Sequence, residues 1–224
     1  MSTTTNCAPR LESSLMANHS PVVFIVDDDV SVRESLEALV EELGWQPKAF
    51  ASAQAFLAQP PPTSPNCLVL DVSLPDLNGL EVQSRIAGER ADMPIIFITG
   101  HGDIPMTVLA MKAGAVEFLT KPFADEVLVL AIRGALERSQ IALSEQSSMR
   151  ALRDRYDFLS RREREVMSLV VRGLLNKQVA GRLGISEITV KAHRGQVMRK
   201  MRAKSLPELV SFAARLGLET AGDS

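Results

Sequence analysis

Six side chains suited to handling a phosphoryl group follow short apolar runs at four well-separated places: Asp27-Asp28-Asp29, Asp71, Thr99 and Lys121. Several carboxylates gathered in one crevice repel one another, so they call for a cation. Ligation by oxygen alone suits Mg2+, which keeps part of its water shell and pairs with phosphate oxygens. A lysine beside them balances charge and ion-pairs with an anionic ligand. A carboxylate can itself act as a covalent nucleophile. The chemistry these residues favour together is therefore phosphoryl transfer. Asp27–Asp29 taken alone also fit helix N-capping, since Asp is stabilising at a helix start. Their grouping with Asp71, Thr99 and Lys121 is what separates the two readings.

For these residues to meet, the runs before them must be neighbouring strands. Val22–Val26, Gln46–Phe50, Cys67–Leu70, Ile95–Ile98 and Val116–Leu119 are mostly apolar throughout rather than alternating. That pattern predicts strands covered on both faces, as in a parallel sheet. Helical patterns lie between them: Val30–Leu43 with Gly44 as a stop, a short helix after Ser52, then Gly79–Ala87, Ile104–Ala113 and Asp125–Arg138. Five βα units predict an α/β doubly wound, five-stranded parallel sheet, and ligands bind such sheets beyond the carboxyl ends of the strands. Val26-Asp27, Leu70-Asp71, Ile98-Thr99 and Leu119-Thr120-Lys121 all fall there.

A second chemistry lies downstream. The 224 residues carry a net charge of −2, but residues 1–144 hold 9 basic and 18 acidic side chains (−9), and residues 145–224 hold 16 basic and 9 acidic (+7). Such asymmetry suggests two domains with different partners, the basic one facing nucleic acid or a membrane surface. From Ser160 onward every pattern is helical: Arg161–Val171, Lys177–Leu183, Glu187–Met201 and Leu206–Leu216. The middle pair, taken as Asn176–Leu183 and Ile185–Met201 about a short turn at Gly184, reads as a helix-turn-helix whose second helix enters the major groove. On that helix Val190, Val197 and Met201 share a face that should meet the core. Glu187, Lys191, Ala192 and Gly195 share another, and Arg194, Arg199, Lys200, Arg202 and Lys204 add a positive rim. Residues 139–157 are polar; Met149, Leu152, Tyr156 and Leu159 could form a short coiled seam or the face of an ordinary amphipathic linker helix.

Composition excludes several classes. Hydrophobic content of 46% is too high for disorder. No apolar run approaches the roughly 18 residues of a membrane helix. The polar N-terminus, read as a disordered tail, lacks the apolar core of a secretory signal. Two cysteines make no disulfide framework, so a cytoplasmic location is expected. Ten aromatic residues (one Trp, one Tyr, eight Phe) argue against stacking platforms for single strands.

These motifs carry two resemblances. Val26-Asp27-Asp28-Asp29, Leu70-Asp71 with Pro75 and Gly79, Ile98-Thr99-Gly100 and Lys121-Pro122-Phe123 resemble the receiver domain of two-component response regulators over about residues 21–138. The segment from Gly100 to Phe123 is similar to the FixJ/NodW/TodT-like group. Leu159–Val166, Gly173–Lys177 and Ile188–Arg194 resemble the LuxR/NarL-type four-helix DNA-binding domain, over about residues 155–217 and bounded here at 158–220 after a 139–157 linker.

The resemblance implies roles. Asp71 accepts a phosphoryl group from a sensor histidine kinase. Asp28, Asp71 and the Ser73 main-chain carbonyl hold Mg2+, with Asp27 acting through water. Thr99 and Lys121 bind phosphoryl oxygens, and Phe118 turns inward when Thr99 moves; plain core packing is the other reading of Phe118. In the second domain Lys191, Ala192 and Gly195 face base edges, and Lys177, Thr189, Arg194 and Arg199 face phosphates. The product is a transcription regulator with double-stranded DNA, a second copy of itself and RNA polymerase as partners. It acts on no separate substrate. Ser73 replaces the longer side chain of many relatives, and Gly195 replaces a larger polar one. Two rivals stand beside this reading. A metal-dependent phosphatase would need a second acid where Ser73 stands. A receiver serving only as a phosphate-independent dimer module would have no use for the acidic cluster.

Overall fold

A computed structural model describes residues 20–90, 93–100 and 104–218. The chain divides into two compact units, Met1–Leu143 and Ser144–Ser224. In the first, five strands β1 (Val22–Val26), β2 (Gln46–Phe50), β3 (Asn66–Asp71), β4 (Ile95–Thr99) and β5 (Glu117–Thr120) alternate with helices α1 (Val30–Glu42), α2 (Ala53–Leu57), α3 (Gly79–Glu89), α4 (Ile104–Lys112) and the N-terminal part of α5 (Asp125–Asp157). All neighbours pair in parallel, in the order β2-β1-β3-β4-β5.

Both faces of the three central strands are buried, which explains their unbroken apolar runs. Alternate residues serve two cores. Phe24, Leu68, Leu70 and Phe97 pack with Phe56, Val82, Ile86 and Ala110 of α2, α3 and α4. Val23, Ile25, Val69 and Ile98 pack with Leu36, Val40, Leu128, Ile132 and Leu136 of α1 and α5. The edge strands β2 and β5 are only partly covered, and β5 begins one residue later than its apolar run.

Gly79 is fixed by packing rather than by a turn. A Cβ there would come within 3.0 Å of the Asp71 carbonyl oxygen, the Val72 Cα and the Phe97 ring. The start of α3 can lie against the end of β3 only without a side chain at that point.

The second unit contains α6 (Arg161–Val171), α7 (Asn176–Leu183), α8 (Glu187–Met201) and α9 (Leu206–Arg215). Ser160 and Glu163 close a capping box at the start of α6. Gly184 sits at φ +64° in the α7–α8 turn, a left-handed position suited to glycine. Residues 139–157 are helical: α5 runs unbroken from Asp125 to Asp157. Leu152 and Leu159 are buried against Met167, Val171, Val197, Met201, Leu209 and Ala213. The Met149–Leu159 stripe therefore packs inside its own unit. No helix among the described residues is long and apolar enough to cross a membrane.

Candidate functional site

The order β2-β1-β3-β4-β5 places the switch of winding direction between β1 and β3. Asp27 leaves β1 and Asp71 ends β3 at the same end of the sheet, because Val26 pairs with Leu70. Thr99 ends β4, paired with Thr120 of β5, and Lys121 follows directly. Chain positions far apart thus meet at one crevice.

Lys121 Nζ lies 2.6 Å from Asp27 Oδ2 and 2.9 Å from Asp71 Oδ2. Asp27 is wholly buried, and the Asp71 side chain keeps 9% of its surface exposed. Carboxylate oxygens of Asp27, Asp28 and Asp71 lie within 4.8 Å of one another. Three carboxylates against one ammonium leave excess negative charge, and hard oxygen donors so grouped fit Mg2+. Burial pushes the Asp27 carboxyl above its usual value, against the pull of Lys121 and the Asp29 N–H. At Lys121 burial works downward, but the hydrogen bonds and charges of Asp27 and Asp71 outweigh it and hold the ammonium above its ordinary value. The lysine decides the charge state: bridging two carboxylates, it stays protonated.

The backbone around these groups is pinned. Asp29 caps α1, accepting from the Ser31 N–H at 2.8 Å, so this member of the triplet fills the capping role. The Asp29 N–H donates to Asp27 Oδ1 at 2.9 Å and the Ser73 N–H to Asp71 Oδ1 at 3.0 Å. Thr99 is fully buried, and its carbonyl accepts from the Lys121 N–H at 2.8 Å. The Lys121–Pro122 bond is cis. Phe118 is half-buried, its ring 6.1 Å from that of Phe97. His101, the histidine that follows Thr99-Gly100 in the sequence, lies outside the described residues.

Three supports had escaped the sequence reading. Arg33 donates to the carbonyls of Asp27 and Asp28 at 2.7 and 2.9 Å, fixing the acidic turn from one helical turn away. Asp76 accepts from the Ala53 and Gln54 N–H groups, tying the β3–α3 loop to α2. Burial works against ionisation there, but these and neighbouring N–H groups hold its carboxyl below the usual range. Asn78 caps α3 through the Leu80 N–H at 2.9 Å. Only the capping residues carry a sequence signal, Asx types at a helix start.

In the second unit Val190, Val197 and Met201 are buried, and Lys191, Ala192, Gly195 and Arg199 are exposed on the opposite side of α8. Lys177 is exposed on α7. Arg194 donates to Asn176 Oδ1 at 3.2 Å, joining the two helices. Thr189 is half-buried and shares a hydroxyl contact of 2.9 Å with the cap residue Ser186. Lys200 reaches back to Glu163 at 2.7 Å, and the Glu163 side chain is 7% exposed. Burial opposes that ionised form, but Lys200 and the Ser160 groups hold it below the usual carboxylate range.

A profile of the response regulator receiver domain matches residues 23–133, and one of the bacterial regulatory proteins of the luxR family matches residues 157–213. Nodulation protein W of Bradyrhizobium diazoefficiens is 50% identical over 202 residues, covering 90% of this chain and 89% of that protein. The transcriptional regulatory protein FixJ of Rhizobium meliloti is 47% identical over 191 residues, covering 85% and 94%. The solved structure of the response regulator StyR aligns with a TM-score of 0.80 at 44% identity, covering 88% of this chain and 100% of that one.

Proposed function

This chain belongs to the response regulators that join a receiver to a LuxR-type DNA-binding domain, as FixJ and nodulation protein W do, and from that premise we propose which residues carry its switch. It is a phosphorylation-controlled, DNA-binding transcription regulator.

Asp71 is the phosphoacceptor. The observation that carries this assignment is Lys121 bridging Asp27 and Asp71 while Asp71 alone of that pair keeps a solvent-facing edge. Asp27 is sealed and cannot meet a donor. The donor is a phosphohistidine of a sensor kinase. The Asp71 oxygen forms the new bond to phosphorus as the nitrogen–phosphorus bond breaks and the imidazole leaves. Such transfer rests on positioning and on neutralised charge more than on a strong base. Lys121 and the Thr99 hydroxyl take up charge on the phosphoryl oxygens, and Phe118 follows Thr99. Asp28, Asp71 and the Ser73 carbonyl would hold Mg2+, with Asp27 acting through water, and the ion would supply positive charge against the carboxylates and the phosphoryl group.

The output domain, over about residues 158–220, uses Lys191, Ala192 and Gly195 toward base edges and Lys177, Thr189, Arg194 and Arg199 toward phosphates. The exposed Ile104 and Leu109 of α4 support a receiver dimer in the phosphorylated state. The receiver, over about residues 21–138, turns over its own phosphoryl group and no other substrate. The protein works in the cytoplasm and meets RNA polymerase at promoters. Incubation with labelled acetyl phosphate and Mg2+ tests the core of this reading. Label enters the native chain and not Asp71→Asn; equal labelling overturns the assignment.

A further inference from the structure

We propose that Ile188 is a specificity-determining residue that reads a thymine methyl group in the major groove. The inference rests on the DNA-binding reading above and deepens it.

Ile188 lies in the first turn of α8 and is 79% exposed, outside both hydrophobic clusters of its unit. A large β-branched side chain there gains nothing from folding. It leaves apolar surface in water that a ligand can cover. Its neighbours define what that ligand is. Residues 188, 191, 192 and 195 stand at i, i+3, i+4 and i+7, one stripe of the helix, and all four are exposed. The buried Val190, Val197 and Met201 occupy the other side.

Along this stripe the side chains pass from Ile188 through Lys191 to Ala192 and Gly195. A Cβ added at Gly195 would meet nothing within 4 Å, so no packing inside the protein requires its absence. Glycine in a helix interior costs about 0.5–1 kcal/mol against alanine. The two smallest residues of the stripe leave room for an outside surface to approach the helix backbone. Exposed Arg199 one turn further on, and Lys177 on α7, favour a polyanion for that surface. An apolar contact within an otherwise polar, anionic groove is what the thymine C5-methyl supplies, and no other base of ordinary DNA offers it. The first turn of a recognition helix is also the part that reaches base edges. Lys191, one helical turn from Ile188, suits a guanine O6/N7 pair. Side chains so related sit about 5–6 Å apart. At about 3.4 Å per base step, the thymine and guanine are separated by one or two steps.

The test uses the full chain with acetyl phosphate and Mg2+ at one fixed salt concentration. Native protein, Ile188→Ser and Ile188→Val each select from a randomised duplex pool. The site chosen by the native protein is then resynthesised with deoxyuridine replacing each thymidine in turn, which removes one methyl and leaves the protein untouched. The native chain is expected to lose about fourfold in affinity at one thymine per half-site, the equivalent of one buried methylene. Ile188→Ser is expected to be indifferent to that replacement and to select a motif relaxed at that base pair alone. Ile188→Val is expected to keep the preference. Uracil tolerated at every position, or an unchanged motif from Ile188→Ser, overturns the assignment and leaves the DNA-binding reading standing. Failure of the native chain to select any motif removes both.

Discussion

The two units use charge in opposite ways. The first gathers acidic groups inward: Asp27 is sealed, Asp71 is nearly so, and one lysine holds both within 3 Å. The second spreads basic groups outward, with Lys177, Lys191 and Arg199 exposed along two helices. A buried, cation-hungry cluster acts on a single small group placed at one point. An exposed stripe acts on a long polyanion and gains affinity by addition over many contacts. Substitutions should therefore behave as all-or-none in the first region and as graded in the second.

The largest expected effect is complete loss of phosphoryl uptake in Asp71→Asn, with basal DNA affinity unchanged; residual labelling would break the all-or-none half of the contrast. Next is Gly79→Ala. Its Cβ meets backbone at 3.0 Å on both Asp71 and Val72, so the receiver should lose about 2 kcal/mol of unfolding free energy. Denaturant unfolding of the full chain, with labelling rates alongside, measures both consequences. Glu163→Gln probes the largely buried Glu163–Lys200 ion pair of the basic unit. Its carboxyl is held below the ordinary 4.5, so its contribution is present above that value and fades as pH falls through the lowered one. Thermal unfolding should show native protein ahead of Glu163→Gln by about 1–3 kcal/mol near neutrality, with the gap closing in acid. A gap independent of pH would mean that the charge of Glu163 plays no part. The smallest is Arg199→Gln, which should lower the slope of log affinity against log salt by about 1 and leave the selected sequence unchanged.

Much of this was legible in the sequence, for physical reasons. The central strands could be read because burial on both faces demands unbroken apolar runs. The acidic site could be read because each of its groups lies within two residues of the end of an apolar run, so the topology brings them together. Helix α8 could be read from a period that separates Val190, Val197 and Met201 from Lys191 and Gly195. The continuity of α5 was less visible. Its apolar face serves one core through Leu128 and Ile132 and another through Leu152, with an exposed polar stretch between them. The usable signal was the lack of any Gly or Pro from residue 135 to 157. Arg33, Asp76 and the Lys200–Glu163 pair were not legible, since each acts through backbone or partners that only the folded chain supplies.

The central claim is that chemistry at the buried acidic site governs binding at the exposed basic one. The most direct test is the affinity of the full chain for its selected duplex, measured with Mg2+ in the presence and absence of acetyl phosphate, for native protein and Asp71→Asn. Phosphodonor should tighten binding by the native chain and leave Asp71→Asn unmoved. Equal affinities for the native chain in both conditions would contradict the account.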